Sequence, residues 1–142
     1  MQIPKKLKYR KPHRGRKSQE KLMNERATRN NSLSYGNFGL IIKNGCEMTS
    51  RQIEAARRVI ARMTKRGGKI WINVFPHKVI TSKGDDIPMG KGKGTPDFYV
   101  APLKAGSVIF ELAGIEETVA REALTLASHK LPVPCKVISN QI

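Results

Sequence analysis

A pattern of strand, helix and strand occurs twice along the chain, and few folds accommodate it. In the first unit, apolar segments at 38–43 and 69–75 have the composition and alternation of strands. Between them, apolar residues recur at steps of three and four, which predicts an amphipathic helix packed on a sheet. The apolar stripe of that helix consists of Ile53, Ala56, Ile60 and Met63.

The second unit has strands at 108–112 and 135–139 on either side of a helix over 115–130. A further strand at 98–101 is expected to pair with the strand at 108–112. Two such units in a chain of 142 residues predict one α+β domain, with both helices on one face of a mixed sheet. This pattern, taken alone, favours a ferredoxin-like arrangement.

Both ends of the first helix have residues suited to helix caps. Thr49 is a good N-cap, and Gln52 stands three residues later, at the position that completes a capping box. Gly67 and Gly68 are expected to end the helix, since glycine tolerates the left-handed backbone at a helix C-terminus.

The chain carries a large excess of positive charge, with 27 Lys and Arg against 11 Asp and Glu, a net charge of +16. A compact monomer with this charge repels itself, and binding to a polyanion relieves the repulsion. Nucleic acid is the first candidate partner and an anionic membrane surface the second. No run approaches the ~18 apolar residues of a membrane span, and no apolar segment typical of a secretory signal follows the basic start.

The positive charge is densest in residues 1–30, and the first 17 residues contain no acid. Pro4, Pro12 and Gly15 interrupt any continuous helix, which argues against an amphipathic membrane helix or a transit peptide. We therefore expect an extended basic arm over 1–30 that binds a polyanion. Its candidate contacts are Lys5, Lys6, Lys8, Arg10, Lys11, His13, Arg14, Arg16 and Lys17.

The two predicted helices differ in charge although both have an apolar face. Residues 51–66 have a net charge of +5, whereas residues 115–130 have a net charge of −1. One interpretation of the first helix is a solvated surface stabilised by a Glu54–Arg58 pair. We favour phosphate contact, because arginines outnumber acids there and a guanidinium can bind two phosphate oxygens at once. The candidate residues are Arg51, Arg57, Arg58, Arg62, Lys65 and Arg66.

The segment 81–96 between the two units is rich in glycine and lysine and shows no periodicity. A loop of this length in a small domain is typically functional or a flexible linker. Glycine lets the backbone approach a phosphate closely and lysine adds charge, so we expect a binding loop. Its spacing is not that of a Walker P-loop. The candidate residues are Gly90, Lys91, Gly92, Lys93 and Gly94.

Catalysis and metal binding are disfavoured by the positions of the reactive residues. The three histidines lie in separate segments without the spacing of metal ligands, and two cysteines cannot form a zinc site alone. We therefore predict a protein that is not an enzyme and holds no cofactor or metal. Trp71 and Phe75 are more typical of a core or a sheet face than of a base-stacking surface, and the aromatic signature of an RNA-recognition motif is missing.

Several motifs, in order and spacing over nearly the whole chain, resemble the ribosomal protein L-sixteen family of the bacterial and organellar large subunit. No single motif is specific enough, and the order of all of them carries the resemblance. They are PK at 4–5, KYRK at 8–11, HRGR at 13–16, FG at 38–39, TSRQIEAARR at 49–58, GKIWI at 68–72, VFP at 74–76, MGKGKG at 89–94 and ASHKLP at 127–132.

The resemblance implies two strand–helix–strand units in a hammerhead-type α+β sandwich over residues 31–142, in place of the ferredoxin-like arrangement. It implies a structural protein that binds large-subunit rRNA near the A- and P-site tRNAs and the peptidyl transferase centre. Such a protein aids late subunit assembly and tRNA positioning. The arm over 1–30 would thread between rRNA helices, and Met89 with the glycines and lysines after it would reach toward tRNA.

The resemblance also implies partners and location. The other partners would be neighbouring ribosomal proteins, with no membrane and no homo-oligomer, on a ribosome of the bacterial cytoplasm, the mitochondrion or the plastid. The alternative function, from a different class, is a free-standing RNA-binding regulator or RNA chaperone. Such a regulator would stay folded alone and bind with base preference.

The sequence departs from the family pattern in two places. Many bacterial members have an arginine immediately before the MGKGKG motif, where this chain has Pro88, so no contact or modification at that arginine is carried over. The polar segment 17–34 is also longer than usual. It either follows a lineage-specific rRNA feature or is disordered.

Overall fold

The computed structural model describes residues 1–140 of the chain, and the side chains of residues 1–15 and 19–140. Within these residues the backbone forms three helices and seven strands, none of the helices being long and apolar enough to cross a lipid bilayer. In chain order the elements are α1 (Arg16–Asn24), β1 (Phe38–Ile42), β2 (Cys46–Thr49), α2 (Ser50–Met63), β3 (Lys69–Ile72), β4 (Lys78–Ser82), β5 (Thr95–Leu103), β6 (Val108–Ala113), α3 (Glu117–Ser128) and β7 (Cys135–Ser139). The α+β class is confirmed.

One sheet has the strand order β3-β6-β1-β7, and each neighbouring pair in it is antiparallel. Because the units β1-α2-β3 and β6-α3-β7 interleave, every strand lies beside one that runs in the opposite direction. The prediction of a mixed sheet is therefore wrong, whereas the strand order is that of the ferredoxin-like arrangement. The hammerhead-type sandwich implied by the family resemblance stays a prediction.

A second sheet contains β2, β5 and β4 in that order, again antiparallel. The predicted pairing of the strand at 98–101 with the strand at 108–112 is wrong, because β5 and β6 belong to different sheets. A tight turn redirects the chain between them: the Ser107 N–H donates to the Lys104 carbonyl at 3.2 Å. Gly106 in this turn has the left-handed φ of 86°. The strands β2 and β4, which the hydrophobic pattern did not predict, flank β5.

The hydrophobic core lies among the four-stranded sheet, the helices α2 and α3, and the strands β2 and β5 of the second sheet. Leu40 and Phe110 face the core from the sheet, Ile53 from α2 and Leu124 from α3, and all four are buried. Each such side chain contributes roughly 1.5–3 kcal/mol by leaving water. Because side chains alternate along a strand, Glu111 faces the opposite side of the sheet from Phe110.

The start of α2 follows the sequence prediction, but its end does not. The Gln52 N–H donates to the Thr49 hydroxyl oxygen at 3.2 Å, and the Thr49 N–H donates to Gln52 Oε1 at 2.9 Å. These two bonds confirm the capping box. The helix ends at Met63, and Lys65 and Arg66 adopt a left-handed backbone with φ of 48° and 63°. Two predicted helix residues therefore lie in the turn after α2.

The N-terminal segment is not extended throughout, because Arg16–Asn24 forms α1 within the predicted arm. An Arg14–Glu47 ion pair of 2.6 Å and a Lys104–Glu25 ion pair of 2.6 Å tie this segment to β2 and to the turn after β5. The polar residues around α1 thus take a defined position against the sheets. The division of the chain into an arm over 1–30 and a domain over 31–142 stays a prediction.

Gly45→Ala is expected to loosen α1 from the rest of the chain. A Cβ at Gly45 would lie 2.1 Å from the Leu22 carbonyl oxygen, so the α1 backbone would have to move away. Limited proteolysis should then cut the N-terminal segment several-fold faster. Gly84→Ala is the matched control, since its Cβ would meet only the Ile87 side chain, at 3.6 Å. Equal cleavage rates in the two variants would contradict this packing.

Candidate nucleic-acid interface

The basic N-terminal segment presents most of its predicted contact residues to solvent. The exposed ones are Lys5, Lys6, Lys8, Arg10, His13 and Arg14. Lys11 is half-buried. The side chains of Arg16 and Lys17 lie outside the described residues.

Glu47 links this segment to the three-stranded sheet. Its two carboxylate oxygens accept hydrogen bonds from Arg14 at 2.6 Å and from Lys78 Nζ at 2.7 Å. Burial raises the pKa of Glu47, but the hydrogen bonds and charges of Lys78 and Arg14 outweigh it and hold the pKa below its ordinary value. Any phosphate contact of Arg14 therefore competes with an existing carboxylate partner.

The structure brings the N-terminal segment and the loop at 81–96 together. The Lys11 ammonium donates to the Lys93 carbonyl at 3.0 Å, and the Lys93 ammonium donates to the Pro12 carbonyl. The groove between the two segments is lined by Lys5, Lys6, Arg10, Thr95 and Tyr99, among others. Cations that are more than 80 positions apart in sequence thus share one surface, which strengthens the local attraction for phosphate.

The loop at 81–96, called the glycine–lysine loop below, has a defined backbone conformation. Gly90, Lys91 and Gly92 have successive left-handed φ values of 100°, 51° and 98°. A Cβ at either glycine would meet no described atom within 4 Å, so glycine serves the backbone conformation there rather than close packing. The Lys83 ammonium donates to the Gly90 carbonyl at 2.6 Å and braces the loop. Lys91 is exposed, and Met89 is 96% exposed.

Helix α2 carries the second predicted basic surface. The Glu54 carboxylate accepts hydrogen bonds from Arg57 at 2.7 and 2.9 Å and from Arg58 at 3.1 Å. The hydrogen bond from Arg57 and that from Arg58, against the opposing effect of burial, lower the pKa of Glu54 to about 2. The Arg58 side chain nevertheless stays 75% exposed, and Arg51 and Arg62 are exposed too. Helix α2 therefore combines the ion pair with an open guanidinium surface.

A groove of about 510 Å³ lies between the exposed sides of α2 and α3. Arg58 and Arg62 line it from α2, and His129 and Lys130 line it from the residues that follow α3. Its apolar lining consists of Val59, Met63 and Leu126. The sequence prediction missed His129 and Lys130 because it averaged charge over a whole acidic helix. Their position could have indicated the groove, because His129 and Lys130 follow the last turn of α3 and so lie apart from its glutamates.

A buried carboxylate on the outer face of the four-stranded sheet was also missed. Glu111 is 0% exposed. It accepts hydrogen bonds of 2.7–3.2 Å from three successive backbone N–H groups, and one from the Asn73 amide. The three N–H groups belong to Ser34, Tyr35 and Gly36. Burial raises the pKa of Glu111, but these donors outweigh it and hold the pKa below its ordinary value. The segment before β1 is thereby held against β6.

The two cysteines have the environment of packing residues. Burial raises the pKa of Cys46 and of Cys135 to about 11, so both thiols stay protonated near neutral pH. Among the residues that the structure describes, no three His, Cys, Asp or Glu side chains lie close enough together to hold a metal ion.

Comparison with known proteins gives one consistent result. A family model described as Ribosomal protein L16p/L10e matches residues 4–138. The large ribosomal subunit protein uL16 of Exiguobacterium sibiricum is 48% identical over 141 residues, covering 99% of this chain and 93% of that protein. The protein of the same name from Lysinibacillus sphaericus is also 48% identical over 141 residues, covering 99% of this chain and 94% of that protein. The resemblance drawn from the motifs is confirmed: the chain belongs to the ribosomal protein L16p/L10e family, which is structural and not enzymatic.

Proposed function

We propose that this chain is a structural constituent of the large ribosomal subunit, where it binds rRNA and serves translation. Its family supports this role, since both relatives are named as large-subunit proteins. The net charge of +16 supports a polynucleotide as the main partner. Such a protein acts by holding RNA in position, so its surface carries the function.

The observation that carries the rRNA proposal is that several acidic side chains are paired or buried while many basic ones stay exposed. Glu25, Glu47, Glu54 and Glu117 form ion pairs with lysine or arginine, and Glu111 is buried. Many cations of the N-terminal segment, α2 and the glycine–lysine loop are left exposed. Phosphate oxygens complement such a surface, and phosphate contacts fix position without reading base sequence.

Co-sedimentation with large ribosomal subunits through a high-salt gradient tests this role. We expect the protein to stay with the subunit, because a built-in component is held by packed surfaces as well as by salt-sensitive phosphate contacts. Complete release at moderate salt would indicate a loosely attached factor, such as a free-standing RNA-binding regulator or an RNA chaperone. Binding that depends strongly on base sequence would favour the same alternative.

The loop around residues 89–94 is proposed to lie toward tRNA in the A and P sites, near the peptidyl transferase centre, and the protein to aid late subunit assembly. The exposure of Met89 and Lys91 supports a loop that reaches outward. Because this chain has Pro88 where many family members have arginine, the positive charge of the loop comes from its lysines.

Alanine substitutions at Lys91 and at Lys93 should have different effects. Lys91 is exposed, so Lys91→Ala is expected to weaken tRNA binding several-fold and to leave subunit assembly unchanged. Lys93 donates to the Pro12 carbonyl, so Lys93→Ala should also release the N-terminal segment and reduce incorporation into subunits. Filter binding of tRNA and gradient profiles of subunits measure the two effects separately. Failed assembly with normal tRNA affinity in Lys91→Ala would assign the loop a structural role.

The remaining partners and the location follow from the same proposal. Neighbouring ribosomal proteins are the other expected contacts, and the chain is not expected to form a homo-oligomer. Both relatives come from bacteria, which supports a ribosome of the bacterial cytoplasm rather than a mitochondrial or plastid one. The hammerhead-type sandwich is part of this proposal, and a structure of the assembled subunit tests it.

A further inference from the structure

An aromatic pair with an adjacent cation lies beside the outer face of the four-stranded sheet. The rings of Tyr35 and Trp71 stack with their centroids 6.0 Å apart and their planes 18° from parallel, the offset geometry that aromatic rings prefer. Tyr35 is 66% exposed. Lys69 Nζ lies 5.1 Å from the centroid of the Trp71 ring. The exposed Tyr35 ring is therefore supported by Trp71, and Trp71 in turn carries the Lys69 charge against its own ring.

Buried contacts hold this pair in place. Trp71 lies opposite Glu111 in the β3–β6 register. The Tyr35 N–H donates to the Glu111 carboxylate at 2.7 Å, and the Gly36 N–H donates to it at 2.8 Å. Gly36 packs so closely that an added Cβ would lie 2.6 Å from the Leu112 carbonyl oxygen. The backbone that carries the Tyr35 ring is thus ordered before a ligand arrives, which lowers the entropic cost of binding.

We propose that Tyr35, backed by Trp71, is a stacking platform for an unpaired nucleobase of single-stranded RNA. This inference rests on the proposed rRNA-binding function and names a surface outside the arm, α2 and the glycine–lysine loop. In this arrangement the base lies on the open face of Tyr35. The Lys69 ammonium pairs with a phosphate of the same strand.

The chemistry of the surface favours a base over other occupants. Unpaired bases stack on aromatic side chains because every base has a flat π face, whereas the bases of a duplex already stack on one another. Lys69 offers a charge that a phosphate-bearing ligand satisfies and an apolar peptide does not. The net charge of +16 brings polynucleotide to the protein in the first place.

The test compares two polyanions that bind the full-length chain: a short oligoadenylate and an abasic ribose-phosphate oligomer of equal length and charge. Tyr35→Ala should weaken oligoadenylate binding by about fivefold to a hundredfold and leave binding of the abasic oligomer unchanged. Tyr35→Phe keeps the ring and should bind oligoadenylate as the unaltered chain does. Urea unfolding of both variants verifies that the fold is intact. An iodouridine-labelled strand should crosslink to Tyr35 under ultraviolet light.

Two outcomes overturn the platform alone. Equal losses for the two oligomers in Tyr35→Ala, or no loss at all, would leave phosphate-mediated RNA binding in place without base stacking. A Tyr35→Ala protein that binds oligoadenylate normally but fails to enter large subunits would assign Tyr35 to contact with a neighbouring protein. If the unaltered chain binds neither oligomer, the platform and the proposed rRNA-binding function fail together.

Discussion

Glu111→Gln is expected to lower the free energy of unfolding by about 2–4 kcal/mol. The carboxylate is fully buried and accepts hydrogen bonds from three successive backbone N–H groups and from the Asn73 amide. In glutamine an NH₂ group replaces one carboxylate oxygen, and it would face the N–H groups that this oxygen now accepts from. At least one buried polar group would therefore lose its partner. Urea denaturation measures the change.

The control for this measurement is Glu117→Gln. Glu117 is an exposed residue on α3 that pairs with Arg121 at 2.6 Å, and exposed pairs contribute little to stability. We expect the control to lose less than about 1 kcal/mol. A Glu111→Gln protein that is as stable as this control would contradict the structural role of the buried carboxylate.

The same substitution should remove part of the pH dependence of stability. Burial raises the pKa of Glu111, but the hydrogen bonds outweigh it, so the folded-state pKa lies below the ordinary value of 4.5. The carboxylate therefore stabilises the fold above that ordinary pKa, and this contribution is lost as the pH falls through the lower folded-state pKa. The stability difference between the unaltered chain and Glu111→Gln should narrow in acid. A constant difference from neutral to acid pH would exclude a role for the charge.

Replacing Arg58 and Arg62 together by alanine is expected to weaken binding to large-subunit rRNA by at least about tenfold. Both side chains are exposed and line the groove between α2 and α3. Each guanidinium can hold two phosphate oxygens. When such a contact is missing, the RNA releases fewer counterions as the protein binds. The negative slope of log affinity against log salt concentration should therefore become shallower by about two.

The control for this pair has to lie outside the groove. Lys130 is an unsuitable control, because it lines the same groove as Arg58 and Arg62. Arg121→Ala with Lys136→Ala removes the same charge from exposed positions on α3 and β7, and a smaller loss is expected. Equal losses in the two double variants would show that total charge alone matters and would refute the assignment of α2.

The main elements of the fold were predictable because hydrophobic periodicity is a local property. The stripe of α2, its Thr49 cap and the five strand patterns all predict elements that the structure contains. The strands β2 and β4 were not predictable in this way, because they become strands by pairing with β5. Helix α1 is similar: a short polar helix is marginal alone, and it packs here against Gly45.

The basic surfaces were predictable as lists of residues but not as a spatial arrangement. Charge counting identified the N-terminal segment, α2 and the glycine–lysine loop, yet it treated them as three separate sites. The contact between Lys11 and Lys93 joins two of them across a sequence separation of 82 residues. His129 and Lys130, which follow the acidic helix α3, share a groove with the basic residues of α2.

The amino-acid sequence by itself determined the class of fold and the family and predicted a polyanionic partner, because periodicity, motif order and net charge are read along the chain. Only the tertiary structure decided the assignment of β5 to a second sheet, the position of Glu111 beneath the segment before β1 and the stacking of Tyr35 on Trp71. These features depend on residues that are distant in the chain; Tyr35 and Glu111 are separated by 76 positions. Burial, hydrogen bonding and stacking between such residues arise only when the chain folds, so no local sequence pattern predicts them.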